Sequence, residues 1–215
     1  MIATPFIVTL TGPSCAGKTT LEKRLKAAGF ENVISTTTRA PRTGEVNGTS
    51  YYFMDKSQFK RHDALGAFVE KVTFNGEYYG VSVQEVERVA ALGKPIVVIV
   101  EPEGLKQIRS FCQKRSWNYF TVFIDNPGGV IGERFLARYM DDLKKAVETG
   151  ASDSQIKKIQ ATYAGRLGVM LKDECWWGED VGPLCDLWLQ AFDESNIDSV
   201  MDQIGQVAVE CLATN

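Results

Sequence analysis

The chain has 215 residues, 44% of them hydrophobic and 24% charged, which fits one α/β domain with an insertion and a sizeable buried core. Its formal net charge of −3 lacks the basic excess of nucleic-acid-binding domains, so we expect no nucleic-acid partner. No apolar run approaches the ~20 residues of a membrane span, and no basic signal-peptide segment opens the chain. Five cysteines without C-x-x-C spacing indicate reduced thiols. We therefore predict a cytoplasmic protein without membrane contact.

The first predicted elements are a buried strand, a glycine-bounded loop and a helix. Residues 6–10 form an apolar run typical of a strand, and apolar residues over 21–28 fall at helical spacing. The loop between them is GPSCAGKT, which fits the G-x-x-x-x-G-K-[ST] pattern of a phosphate loop. In such a loop Lys18 reaches the β- and γ-phosphates and Thr19 offers its hydroxyl to Mg²⁺. The predicted ATP-binding residues are Gly12, Pro13, Ser14, Cys15, Ala16, Gly17, Lys18, Thr19 and Thr20.

The segment that follows carries two arginines on either side of a proline. Arg39 and Arg42 flank Pro41, which restricts the backbone between them. Two guanidinium groups on one stiff segment can bind a single phosphate, because each planar fork donates two hydrogen bonds to phosphate oxygens. A solvated basic loop has the same pattern, and the two arginines alone do not decide between these interpretations.

Residues 48–80 predict a small, mostly β unit that is rich in tyrosine. A polar stretch over Lys56–Ala64 is typical of a short helix, and it contains His62, which we expect on the surface. Asn75 and Gly76 form a strong two-residue hairpin signal between two strands.

Beyond this unit, helices and strands alternate. The predicted elements are a helix over Val83–Leu92, a strand over Ile96–Val100, a helix over Gly104–Lys114, a strand over Phe120–Ile124, a strand over Leu184–Leu189 and a helix over Ile197–Leu212. This alternation predicts a parallel sheet with helices on both faces. Glu101 follows one of the strands, at the sheet edge where ligands bind in such folds.

Residues 129–177 predict a long polar arm of two helices. Arg134 and Arg138 lie four residues apart on one face of the first helix, and Arg166 belongs to the second. A charged bridge over 141–155 is predicted to separate the two helices. A mobile lid and an ordinary surface hairpin both fit this pattern.

Together these segments resemble the guanylate kinase family. The resemblance rests on GPSCAGKTT at 12–20, STTTRAPRTGEVNG at 35–48, FVE at 68–70, EYYG at 77–80 and EG at 103–104, in continuous register over residues 6–138. It implies a P-loop NTPase fold, a three-layer α/β/α domain with a central parallel sheet. Its implied parts are a core (5–34, 93–128 and 178–215), a mostly β insertion that binds a nucleoside monophosphate (35–92) and a helical lid (129–177).

The resemblance also implies an activity and the residues that perform it. The γ-phosphoryl group of ATP would pass to GMP or dGMP, with Mg²⁺ held by Thr19 and, through water, by Glu101. Glu70 would accept hydrogen bonds from guanine N1–H and the 2-amino group, and so would determine base choice. The implied monophosphate-binding residues are Ser35, Arg39, Arg42, Tyr51, Glu70, Tyr79, Gly80, Ser82 and Glu101. The implied catalytic residues are Lys18, Arg42, Arg134, Arg138 and Arg166, the last three as lid arginines that neutralise the phosphoryl group during transfer.

Three positions depart from the family pattern. Ile99 stands where the family has a carboxylate, Val81 replaces a serine or threonine after the YYG motif, and Ala191 replaces an asparagine near the adenine pocket. These departures keep open a kinase for a different or modified purine deoxynucleoside monophosphate. An inactive guanylate kinase-like module that binds phosphopeptides or nucleotides is a further alternative. The expected partners are ATP and a purine nucleoside monophosphate, and the chain is expected to be a monomer or homodimer.

Overall fold

The structure is a computed structural model that describes residues 4–41, 44–74, 76–173 and 181–213. In chain order its elements are β1 (Phe6–Thr11), α1 (Lys18–Ala27), β2 (Glu31–Asn32), β3 (Thr36–Thr37), β4 (Tyr52–Phe53), α2 (Lys56–Ala64), β5 (Phe68–Phe74), β6 (Glu77–Ser82), α3 (Val83–Ala90), β7 (Ile96–Ile99), α4 (Pro102–Arg115), β8 (Asn118–Ile124), α5 (Gly128–Glu148), α6 (Asp153–Asp173), a 3₁₀ turn (Gly182–Leu184), β9 (Leu187–Leu189) and α7 (Ile197–Ala213). None of the helices in these ranges has an apolar stretch long enough to cross a bilayer.

The main sheet has five parallel strands in the order β2-β7-β1-β8-β9, with β1 at its centre. Every residue of β1 is buried because helices cover both faces of the sheet. Phe6, Val8 and Leu10 pack on the face covered by α1 and α7. Ile7 packs on the opposite face, which α3 and α4 cover. This arrangement confirms the predicted three-layer α/β/α fold with a central parallel sheet.

A second sheet of four strands, in the order β4-β3-β6-β5, lies within residues 36–82. Its strands β5 and β6 form an antiparallel hairpin in which Phe74 and Glu77 are the paired residues nearest the turn, as the sequence predicted. Asn75 itself lies outside the described residues. Helix α2 has the predicted bounds and is capped by Asp55, whose carboxylate accepts a hydrogen bond from Gln58 N at 2.7 Å. His62 is exposed, as expected.

The predicted bridge over 141–155 is wrong, because α5 continues to Glu148 and α6 begins at Asp153. Residues 141–148 are mostly Asp, Lys, Leu, Ala and Glu, and several of these are strong helix formers. Gly150 has φ 71°, a backbone conformation that ends helices and suits glycine. The arm is therefore a helical hairpin with a short turn rather than two helices joined by a long flexible segment.

Candidate active site

The phosphate loop, residues 12–19, depends on two glycines for its shape. Gly12 has φ 144°, and a Cβ atom there would lie 2.3 Å from the carbonyl oxygen of Ile124. Gly17 has φ 116°, and a Cβ atom there would lie 2.8 Å from the ring of Phe192. Both positions therefore exclude any side chain, by backbone conformation and by close approach. The loop runs from the end of β1 to the first turn of α1, where backbone N–H groups and the helix dipole favour an anion.

The side chain of Lys18 is turned back over this loop. Its ammonium group donates hydrogen bonds to the carbonyl oxygens of Gly12 and of Pro13, the latter at 2.8 Å. Burial lowers the pKa of Lys18, and the negative charge of Glu101 acts in the opposite direction. Thr19 lies exposed in the first turn of α1. The cation and the hydroxyl that a nucleoside triphosphate would need are thus both at the loop.

A cavity of about 450 Å³ opens beside the phosphate loop. Its lining combines the loop, two arginines of α5 and a segment that follows β9: Ser14, Cys15, Ala16, Gly17, Lys18, Thr19, Thr20, Arg134, Arg138, Phe192, Asp193 and Glu194. All but two of the predicted ATP-binding residues, Gly12 and Pro13, therefore line one cavity together with two of the three predicted lid arginines.

Asn126 and Arg134 hold the phosphate loop against the segment that follows β9. Asn126 Nδ2 donates to the carbonyl oxygens of Ala16 at 2.7 Å and Phe192 at 3.0 Å, and its Oδ1 accepts from Phe192 N at 2.6 Å. Arg134 donates to the same two oxygens, at 3.1 and 2.9 Å. Asn126 is absent from the predicted site. Its one sequence signal is its position just after β8, at the carboxyl edge of the sheet.

Arg166, the third predicted lid arginine, lies away from this cavity's lining. Its guanidinium carbon is 5.4 Å from the centre of the Tyr163 ring, which packs between α5 and α6. The Tyr163 hydroxyl donates to Asp142 at 2.5 Å, and burial, followed by this carboxylate, raises the pKa of Tyr163 to about 12. These contacts join the two helices of the arm.

Next to the second sheet, Arg39 contacts two tyrosines and a glutamate. It forms a bidentate ion pair with Glu45 at 2.9 Å, which raises the pKa of Arg39, and its guanidinium carbon is 5.4 Å from the centre of the Tyr51 ring. The rings of Tyr51 and Tyr79 meet edge to face at 6.2 Å. Arg42 lies outside the described residues. Glu45 was not among the predicted site residues, although it belongs to the GE of the same motif.

Glu70 is buried, with 5% of its surface exposed, on β5, the edge strand of the second sheet that contacts α4. A Cβ atom on Gly104 would lie 2.7 Å from the Glu70 carboxylate, so the glycine leaves room for this side chain. Burial raises the pKa of Glu70 to about 7, with a further upward contribution from Glu101 and a downward one from the backbone of Val81. Glu101 directly precedes α4, whose Gly104 packs against Glu70, and it follows β7, which pairs with the strand that leads into the phosphate loop.

Three other predicted acceptor-site residues have local structural contacts. A Cβ atom on Gly80 would lie 2.9 Å from Glu70 O and 3.0 Å from the Phe68 ring, so packing inside the second sheet requires a glycine there. Ser82 caps α3 by accepting a hydrogen bond from Glu85 N at 3.1 Å. The carbonyl oxygen of Ser35 accepts from Tyr52 N at 2.9 Å. Gly80 and Ser82 lie on β6, which pairs with the strand that carries Glu70.

The guanylate kinase family model matches residues 4–163. The chain belongs to the guanylate kinase family. The guanylate kinase of Chlamydia felis is 37% identical over 129 residues, 59% of this chain and 61% of the relative. That of Trichormus variabilis is 43% identical over 106 residues, 48% of this chain and 53% of the relative. The matched part of the chain thus spans under two thirds of the length of either relative.

A solved member of the guanylate kinase family has the same fold. The crystal structure of guanylate kinase from Anaplasma phagocytophilum superimposes with a TM-score of 0.61 at 19% identity, over 98% of this chain and 90% of that chain. The fold therefore extends beyond residue 163, where the match to the family model ends.

Proposed function

We propose that this chain is a nucleoside monophosphate kinase that transfers the γ-phosphoryl group of ATP to GMP or dGMP, giving ADP and GDP or dGDP. The observation that carries the proposal is the position of Glu101, which opens α4 next to the Gly104 that packs against Glu70 and follows β7, the neighbour of the strand that leads into the phosphate loop. This arrangement supports a shared site for a donor loop and a buried carboxyl group suited to guanine. Membership of the guanylate kinase family supports the same activity.

On the donor side, the residues of the phosphate loop bind the triphosphate. Lys18 exchanges its contacts with the Gly12 and Pro13 carbonyl oxygens for the β- and γ-phosphate oxygens. Transfer proceeds by in-line attack of an acceptor phosphate oxygen on the γ-phosphorus, and the bond to the β-phosphate oxygen breaks. The acceptor phosphate is already ionised, so no general base is needed.

On the acceptor side, we propose that Arg39, Arg42, Tyr51 and Tyr79 bind the monophosphate. The clustering of Arg39 with both tyrosines supports this role. Ionised Glu70 accepts hydrogen bonds from N1–H and the 2-amino group of guanine, a pair of donors that adenine lacks. Ser35, Gly80, Ser82 and Glu101 complete this site in the proposal.

The residues at the loop fit Mg²⁺. Thr19 offers a hydroxyl and Glu101 a carboxylate, both hard oxygen ligands, and both are exposed. Mg²⁺ in kinases keeps few protein ligands and binds mainly to substrate phosphates and water. No cluster of three or more His, Cys, Asp or Glu side chains occurs in the described part of the chain, which agrees with such a site. When bound, the ion would neutralise charge on the β- and γ-phosphates.

In this proposal residues 129–177, which include the hairpin of α5 and α6, form the lid. The lid closes over the insertion at 35–92 and the remaining core. Arg134 and Arg138 line the donor cavity and would stabilise the transferring group. Arg166 is proposed as a third lid arginine and would have to leave Tyr163 when the lid closes. A cytoplasmic location and a monomer or homodimer remain predictions from the sequence.

The test is release of ADP from ATP with GMP, dGMP, AMP, dAMP, UMP or dTMP as acceptor. We expect turnover with GMP and dGMP and little with the others. Val81 is buried in the core and presents no hydroxyl to the base, which favours a modified purine as the second candidate acceptor. A modified purine deoxynucleoside monophosphate is added to the panel, and turnover with it but not with GMP would select that candidate. No turnover with any nucleotide would contradict a kinase.

A further inference from the structure

The chain passes from the main sheet to the second sheet and back, and one carboxylate contacts both connections. The outgoing connection runs from β2 of the main sheet through Ile34 to β3 of the second sheet, and the returning connection runs from β6 through α3 to β7. Glu85 lies on α3, and its Oε1 atom accepts a hydrogen bond from Ile34 N at 2.9 Å. Its side chain therefore joins the outgoing connection to the returning one.

The other carboxylate oxygen of Glu85 contacts a strand of the second sheet. Oε2 accepts a hydrogen bond from the hydroxyl group of Tyr52 on β4, at 3.2 Å. Each of the two oxygens also accepts one hydrogen bond from the guanidinium group of Arg88 on α3, at 2.8 Å. A carboxylate accepts about four hydrogen bonds, so these contacts satisfy Glu85 completely.

Glu85 is held in its ionised form although it is buried. Its side chain is 3% exposed, and burial alone would raise its pKa, but hydrogen bonds from Arg88, Ile34 and Tyr52 bring the pKa below its usual value. Loss of one partner from a buried charge is costly. Helix α3 itself is fixed to the main sheet, because Val86 and Val89 belong to the core on that face. Glu85 therefore ties the second sheet to the main sheet.

We propose that Glu85 is a positioning residue that sets the place of the acceptor site relative to the phosphate loop. This inference rests on the proposed function, in which the monophosphate binds at the second sheet and the triphosphate at the main sheet. Tyr51 directly precedes Tyr52, and β4 is joined through β3 to β6, which carries Tyr79. The proposed acceptor residues thus move with the strand that Glu85 holds. A misplacement of about 1 Å between reacting groups can cost about 10²-fold in rate.

The experiment measures kcat and both KM values for Glu85→Gln. The amide has one acceptor oxygen, and its NH₂ group would face hydrogen-bond donors, so the contacts with both connections are weakened. We expect kcat to fall about tenfold or more while KM for GMP and for ATP each stay within about threefold, because each substrate keeps its own contacts. A loss confined to KM, or an unchanged kcat, would overturn the proposal.

Ile204→Ala is the control for a loss of stability. Ile204 is buried in the core between the main sheet and α7, and its truncation leaves a cavity far from the Glu85 contacts. Its kcat per folded molecule, with the folded fraction measured by circular dichroism, should equal that of the native chain. An equal fall of kcat in Ile204→Ala and Glu85→Gln would overturn the proposal.

Tyr52→Phe tests the same contact in a chain that keeps the buried pair of Glu85 and Arg88. It removes one hydroxyl group, and we expect kcat to fall about threefold in the native chain and no further in Glu85→Gln. An unchanged kcat in Tyr52→Phe, or losses that multiply in the double variant, would overturn the proposal. Absence of turnover in the native chain would contradict the proposed function instead, so the two failures are distinguishable.

Discussion

The guanidinium group of Arg39 and the carboxylate of Glu45 meet in a bidentate ion pair, with both N–O distances at 2.9 Å. The two side chains are only 17% and 19% exposed, and Arg39 also donates to the carbonyl oxygen of Ala40 at 2.7 Å. These bonds fix the plane of the guanidinium group beside Tyr51. Glu45 therefore positions the arginine that we propose binds the acceptor phosphate.

We expect Glu45→Gln to raise KM for GMP about fivefold, because an amide loses one of the two charge-assisted acceptors, worth about 1 kcal/mol. The value of kcat should change less, since Glu45 acts on binding. Steady-state kinetics at saturating ATP measures both. Glu31→Gln is the control, because it breaks an exposed ion pair with Lys94 on the main sheet and should leave KM unchanged. Equal effects of the two substitutions would contradict the positioning role.

Acceptor binding should depend on pH through Glu70. The pKa of Glu70 is raised to about 7, and in the proposed site guanine requires the ionised carboxylate, so KM for GMP should fall as pH rises. Between pH 6 and pH 8 the ionised fraction rises about tenfold, and we expect KM to fall by about the same factor. Glu70→Gln should remove this dependence and reduce discrimination between GMP and AMP. A KM profile that Glu70→Gln leaves unaltered would assign the pH dependence to another group.

Substitution of Lys18 in the phosphate loop should abolish phosphoryl transfer while leaving acceptor binding intact. Lys18→Met removes the cation that we propose neutralises the β- and γ-phosphates, and we expect turnover to fall below detection. Binding of GMP, measured by calorimetry, should remain close to that of the native chain, because the acceptor contacts that we propose lie on the second sheet. Activity equal to the native chain would rule out phosphoryl transfer at this loop.

Two Gly→Ala substitutions should have opposite effects on stability. Gly12→Ala requires φ 144° and places Cβ 2.3 Å from Ile124 O, so we expect a loss of more than about 2 kcal/mol in the free energy of unfolding, and no activity. Gly165→Ala lies in α6 with nothing within 4 Å of the added Cβ and should stabilise the chain by about 0.5–1 kcal/mol. Thermal unfolding measures both, and a stable Gly12→Ala variant would contradict the close approach to β8.

Substitution of Arg134, which joins α5 to the phosphate loop, should impair the use of ATP and leave the binding of GMP unchanged. Arg134→Lys keeps the charge but cannot reach the Ala16 and Phe192 carbonyl oxygens together, so we expect kcat/KM for ATP to fall about tenfold or more. KM for GMP should stay the same. Arg109→Lys is the control, because Arg109 also donates to a carbonyl oxygen, that of Leu184, away from the loop. Comparable losses in both variants would indicate general destabilisation.

Local patterns account for the parts of the fold that the sequence predicted well. The phosphate loop, helix Lys56–Ala64 and the hairpin around 75–76 each depend on a few consecutive residues, and the structure confirms them. The bridge over 141–155 was mispredicted because its charges suggested a solvated linker, whereas its helix propensity and the contact between Tyr163 and Asp142 favour a continuous α5.

By itself the sequence determined the α/β class, the phosphate loop and the motifs of the guanylate kinase family, because each is encoded in adjacent residues or at a regular period. Only the tertiary structure decided that Asn126 joins the loop to Phe192, and that Gly104 leaves space for Glu70. The residues of these contacts lie far apart in the chain, with Ala16 and Asn126 separated by 110 positions. No local pattern encodes such pairs; sheet register and helix packing bring them together.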